Sequence, residues 1–111
     1  MAAGDVVIVR DVTFGKGMSG DIRLIFGTVT LDGSNPTPIS LANYLSAIDA
    51  AVVSVDGSVA PGVDPTTATS VISGTTVDVY AWKITGVGDA TLVASTNNAR
   101  LVNWFAIGPK K

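Results

Sequence analysis

The sequence predicts an all-β fold: an antiparallel β-sandwich or small barrel of six or seven strands, with one short helical turn and one long loop. Three observations carry this. Val (16), Thr (12) and Ile (8) make up about a third of the 111 residues, and β-branched side chains suit a pleated, half-buried surface better than a helix. Glu and Gln, both strong helix formers, are missing altogether. Clusters of Gly, Pro, Asn and Asp divide the chain into apolar runs of strand length.

Residues 5–14 read as the first strand. Val6, Ile8, Val12 and Phe14 occupy its even face, the expected inside, with Asp11 and Thr13 on the odd face. Turn signals over Gly15–Gly20 lead into Asp21–Leu31. There Ile22, Leu24 and Phe26 share one face while Val29 and Leu31 sit on the other. The phase changes at Gly27, which predicts one long strand bent by a bulge at that glycine.

Asp32–Pro38 holds two prolines and a glycine, which deny a ladder its donors and regular dihedrals. Ser40 then fits as the N-cap of a helical turn over Leu41–Leu45. Residues 47–55 return to strand. From Asp56 to Thr76 the chain is rich in Gly, Pro, Ser, Thr and Ala, and reads as a long loop or arm with room for a short strand at Val71-Ile72. Residues 77–85 alternate, Gly86–Asp89 makes a hairpin turn, and Thr91–Ala94 pairs back. After a turn at Thr96–Asn98, the last strand, Ala99–Ile107, is apolar on both faces. Such a strand lies at the centre of a sandwich or is buried against another subunit. The whole chain reads as one β domain, 1–111, with residues 1–4 a candidate flexible arm.

Composition excludes several functions. The chain has no His and no Cys, which removes disulfide frameworks, the usual zinc sites and haem ligation. No apolar run reaches the ~18 residues of a membrane-spanning helix, and the first residues lack the basic and apolar regions of a signal peptide. A net charge of −2, with basic residues scattered singly apart from Lys110-Lys111, argues against nucleic acid. The chain is expected to bind neither membrane nor cofactor.

An enzyme is not expected either, because the usual nucleophile–base pairs are unavailable without His, Cys or Glu, which leaves only paired Asp carboxylates in principle. Asp32-Gly33-Ser34 has the wrong residue order for an aspartic-protease loop. Asp32, Ser34, Asn35, Asp56 and Ser58 lack the alternating acidic pattern of a calcium loop, so they read as turn residues. Charged residues are only 14% of the chain, against about 25% in average soluble domains. A surface so poor in charge points to coverage by other subunits. The candidate interface residues are Tyr80, Trp82, Trp104, Phe105, Pro36 and Pro38.

The run Gly27-Thr28-Val29-Thr30-Leu31-Asp32-Gly33-Ser34-Asn35-Pro36-Thr37, the Ile39-Ser40-Leu41 helix start and the terminal Trp104-Phe105-Ala106-Ile107-Gly108 resemble the capsid decoration, or cement, proteins of tailed bacteriophages. The similarity covers residues 20–55 and 99–108. Asn35 stands where that family usually has an aromatic, and Pro38 where a glycine pair is usual. The resemblance implies a mechanical role on the capsid exterior, with the major capsid protein and further copies of the chain as partners, a trimer being favoured. Sheet faces and arms would then be buried across capsomer seams, with many identical contacts adding up over a lattice.

Two other readings stay open: another virion part, such as a tail or fibre domain, and a carbohydrate-binding β-sandwich. Glycan binding predicts Tyr80, Trp82 or Trp104 as an exposed coplanar patch. Cementing predicts those rings buried within or between protomers.

Overall fold

The alternating pattern becomes eight strands among the residues described, 2–17, 20–56, 65–86 and 89–111, of a computed structural model. They are β1 (Val6–Gly17), β2 (Gly20–Thr30), β3 (Thr37–Ser40), β4 (Ala50–Val55), β5 (Thr67–Ser73), β6 (Thr76–Gly86), β7 (Asp89–Ala94) and β8 (Leu101–Pro109). One antiparallel sheet runs in the order β1-β2-β8-β4. The other runs β3-β6-β5, with β7 also paired to β6. The strand count therefore exceeds the six or seven expected.

Alternation places one face of each sheet inside. Ile25 and Val29 of β2 and Val102, Trp104 and Ala106 of β8 pack against Ile39 of β3 and Val77, Val79 and Ala81 of β6. Leu31, Leu41, Leu45 and Ile48 close the core from the connections. Burying each Val, Leu or Ile side chain among them contributes roughly 1.5–3 kcal/mol. β8 is flanked by β2 on one side and β4 on the other; one of its apolar faces lines the core, and the other, with Phe105 and Ile107, is the outer face of the sheet.

Four expectations are corrected. The bulge belongs to β1 and not to β2: β1–β2 pairing steps from Ile8↔Gly27 to Arg10↔Phe26, which leaves Val9 extra, whereas β2–β8 pairing runs without a shift from Ile22↔Pro109 to Thr30↔Leu101. One extra residue inverts the facing of everything after it. Val12 and Phe14, expected inside, therefore share the outer face with Leu24 and Ile22. The glycine signal was real, but it marks the strand that accommodates the bulge.

Second, the helix over Leu41–Leu45 is absent. One hydrogen-bonded turn remains, with the Leu45 N–H donating to the Leu41 carbonyl at 3.0 Å. Ser40 ends β3 instead of capping a helix. Five residues are too few to nucleate a helix whose apolar side chains are already claimed by a sheet core. Third, Pro38 lies within a strand. β3 is a sheet edge, where a missing donor is tolerated. Fourth, the 15–20 turn is shorter than expected, since β1 continues to Gly17 and pairs with Gly20. Residues 18–19 of that turn lie outside the described residues.

Within 56–76, Val71 and Ile72 belong to β5, and Gly74, with φ +60°, turns the chain into β6. Residues 57–64 of that segment, and 87–88 of the β6–β7 hairpin, lie outside the described residues. In the candidate arm, Ala2–Asp5 folds back: the Asp5 N–H donates to the Ala2 carbonyl, and the Gly4 N–H donates to Thr30 at 2.8 Å.

Candidate functional site: two sheet faces

The two sheets have different outer faces. On the first sheet, register aligns the side chains in rows across all four strands. Val12, Leu24, Ile107 and Ala50 form one row, and Arg10, Phe26, Phe105 and Val52 the next. Phe105 is 39% exposed, Val52 50% and the bulge residue Val9 60%. Leu24, Phe26 and Ile107 are half-buried by their neighbours. Between Val9, Phe26, Phe105 and Val52 lies an open trough of about 590 Å³, walled almost entirely by carbon. Thr28, Ser54 and Asn103 also border it, but their polar atoms contribute almost none of its exposed surface. What it offers a partner is apolar area to bury.

The second sheet presents Tyr80 and Trp82 on the outer face of β6, both half-buried. Their planes lie within 15° of each other, with ring centroids 6.2 Å apart. The Trp82 Nε1–H donates to the Thr69 hydroxyl at 2.9 Å. Thr69 stands opposite Tyr80 on β5, so the indole reaches along the sheet instead of standing off it. Asp78 and its cross-strand neighbours Pro38 and Val71 continue this face.

Of the six candidate interface residues, then, Tyr80, Trp82 and Pro38 share one outer face and Phe105 lies on the other. Pro36 sits in the bend before β3, after a cis peptide bond to Asn35. Trp104 is 3% exposed on the inner face of β8 and packs in the core. Strand parity separates it from Phe105. Leu24, Phe26, Ile107 and Val52 were not among the candidates. The signal for Leu24, Phe26 and Ile107 was present as a second apolar face on two strands that turn out to be neighbours, and Val52 joins them from a third.

The segment that carries the family resemblance is a hydrogen-bonded loop. The Asp32 carboxylate accepts from the Ser34 N–H (2.9 Å), the Ser34 hydroxyl (2.5 Å) and the Thr37 hydroxyl (2.9 Å). Asn35 uses its side-chain amide as a strand surrogate in the gap between β3 and β7. Its Oδ1 accepts from the Ala81 N–H at 2.9 Å, and its Nδ2 donates to the Ala81 carbonyl at 3.3 Å. At the far end of the first sheet, the Arg23 guanidinium pairs with Asp11 through both oxygens and donates to the Tyr44 carbonyl at 3.3 Å, with its charge 5.2 Å above the Tyr44 ring. Among the described residues no three acidic side chains gather to hold a metal ion.

Among the described residues, the carboxyls of Asp11 and Asp32 are held below the usual Asp range. The hydrogen bonds from Arg23 hold Asp11 below the usual Asp range, against the upward push of burial. For Asp32, partial burial pushes upward, and the hydrogen bonds from Ser34 and Thr37 more than offset it, so that it too is lowered. Depressed folded-state values mean stability that is fully present above the unfolded value of about 3.9 and lost as pH falls through the folded values. Thermal unfolding is therefore expected to be flat from about pH 8 to 5 and to drop below about pH 4. Asp32→Ala should cost about 1–2 kcal/mol at pH 7, because it strands three donors. The gap to wild type should narrow towards pH 2, and an unchanged gap there, read by calorimetry, would contradict the assignment.

These features define a small two-sheet antiparallel β protein with an uncovered apolar face and, on the opposite sheet, an aromatic pair. No protein-family model matches the chain, and neither a curated protein nor a solved structure does.

Proposed function

We propose that the chain is a virion structural protein, a capsid decoration or cement protein that stabilises a phage head by burying apolar sheet surface against capsid subunits and its own copies. The observation that carries this reading is the outer face of the first sheet. Phe26, Phe105 and Val52 lie in one cross-strand row, backed by Leu24 and Ile107, with Arg10 the charge at its β1 end. A contiguous apolar surface on a charge-poor chain is the form a subunit contact takes. The resemblance of residues 20–55 and 99–108 to phage cement proteins supplies the partner, the major capsid protein, and the capsid exterior as the place. It also favours a trimer seated where capsomers meet. Two sheets that share one core support the finer reading of the architecture as a β-sandwich.

Cosedimentation with expanded, undecorated heads of tailed phages tests the proposal. Wild-type protein is expected to pellet with the heads and to saturate. Phe105→Lys and Val52→Lys place a charge in the trough and should weaken retention at least tenfold, with little change in unfolding temperature because both positions are already solvated. Wild-type protein that stays in the supernatant with every head tested, or lysine variants that pellet as well as wild type, would overturn it.

A further inference from the structure

The second sheet carries a feature that the apolar-docking reading leaves unused. Tyr80 and Trp82 occupy successive outward positions of β6, which a strand spaces at about 6.6 Å. Their centroids are 6.2 Å apart and their planes 15° from parallel. That separation is within the range of offset-stacked rings, and it follows the strand repeat. The Trp82 N–H bond to Thr69 draws the indole toward β5 and satisfies its donor. Both side chains are half-buried, so each keeps part of its surface in solvent.

We propose that Tyr80 and Trp82 form a saccharide-binding platform for an extended chain of pyranose sugars. The apolar C–H face of a pyranose stacks on an aromatic ring. Two near-parallel, part-exposed rings one strand repeat apart can take neighbouring sugars of an extended chain. The hydroxyls at the sugar rim need polar partners, and Asp78 supplies a carboxylate next along the same face of β6, two residues before Tyr80, while Thr69 supplies a hydroxyl across from Tyr80. An apolar protein partner would gain nothing from that carboxylate. This platform lies on the sheet opposite the trough, so a protomer docked through Phe105 and Val52 would keep it turned away from the docked face.

The test uses full-length protein and a defined panel of probes: cellohexaose, chitohexaose, maltoheptaose, and soluble xylan, mannan and β-glucan in affinity gels. At least one probe is expected to retard the protein and to protect Trp82 from acrylamide quenching, with Trp104 contributing little because it is buried. Trp82→Thr and Tyr80→Thr keep a strand-forming residue at a solvent-facing position, and each should weaken binding at least tenfold. Asp78→Asn should weaken it severalfold, and Phe105→Lys on the other sheet should leave it unchanged. Amide spectra of each variant establish that the fold is retained. Should a variant unfold, loss of ligand-induced protection of Trp82 in Tyr80→Thr or Asp78→Asn provides the same reading. No binding to any probe, or binding that survives Trp82→Thr in folded protein, overturns the platform. Neither result bears on retention by heads, which the first sheet governs.

Discussion

Gly27→Ala is expected to destabilise the protein by about 3 kcal/mol or more, against the usual rule that alanine in place of strand glycine gains about 0.5–1 kcal/mol. Gly27 lies on β2 opposite Ile8, at the point where β1 bulges. A β-carbon there would stand 1.9 Å from the Val7 carbonyl oxygen, 2.9 Å from its carbon and 3.0 Å from the Ile8 Cα. All three are backbone atoms, so no rotamer relieves the clash. β1 would have to peel away from β2, and β2 is itself paired to β8. Gly74 provides the comparison, because its φ of +60° penalises alanine by only about 1–2 kcal/mol and nothing lies within 4 Å of the added carbon. Urea denaturation should therefore rank Gly27→Ala well below Gly74→Ala. The reverse order would mean that β1 is held too loosely for its bulge to matter.

The same position shows what sequence reasoning could and could not reach. A change of apolar phase beside a glycine announced a bulge, and one exists at that level of the sheet. Periodicity cannot say which of two paired strands carries the extra residue, since the pairing is not written in either strand alone. Assigning the bulge to β2 kept β1 in a single phase and put Val12 and Phe14 inside. With the bulge at Val9 they face outward and extend the apolar surface of β2 and β8. The strands that alternate cleanly, β6 and β8, were legible with their two faces, though their ends are shifted by one or two residues. The turn at Leu41–Leu45 was not, because Leu41 and Leu45 are as good for closing a sheet core as for starting a helix.

The candidate surface was half legible for a related reason. Large aromatics are visible in any sequence, and Tyr80, Trp82 and Phe105 do lie outside the core. Trp104 has the same composition signal with the opposite parity. The surface itself is a product of neighbours: Phe26 joins Phe105, and Phe105 joins Val52, only once β2, β8 and β4 are side by side. No window along the chain contains that row. The result is a molecule with two unlike outer faces, an apolar trough on one sheet and paired rings beside a carboxylate on the other.

Trp104 supplies a sharp separation of folding from docking. It is 3% exposed, lies between Gly27 of β2 and Val53 of β4, and has no hydrogen-bond partner for its indole N–H. Trp104→Ala removes the largest side chain of the core cluster beside a residue that has no side chain of its own to fill the space, and is expected to cost about 3–5 kcal/mol. Trp104→Phe gives up ring volume but also removes a buried donor whose unpaired state itself costs about 1–3 kcal/mol. The two effects oppose, so the net loss should be about 1 kcal/mol. A Trp104→Phe loss of about 3 kcal/mol in urea denaturation, instead of about 1, would show that the N–H is in fact bonded, through a buried water. Because Trp104 and Phe105 are adjacent in sequence but on opposite faces of β8, their phenotypes should divide. Trp104→Phe is expected to lower stability slightly and leave retention by heads intact. Phe105→Lys should leave stability near wild type and lose retention. A Trp104→Phe protein that is folded but no longer retained would move the docking surface off the outer face of the first sheet.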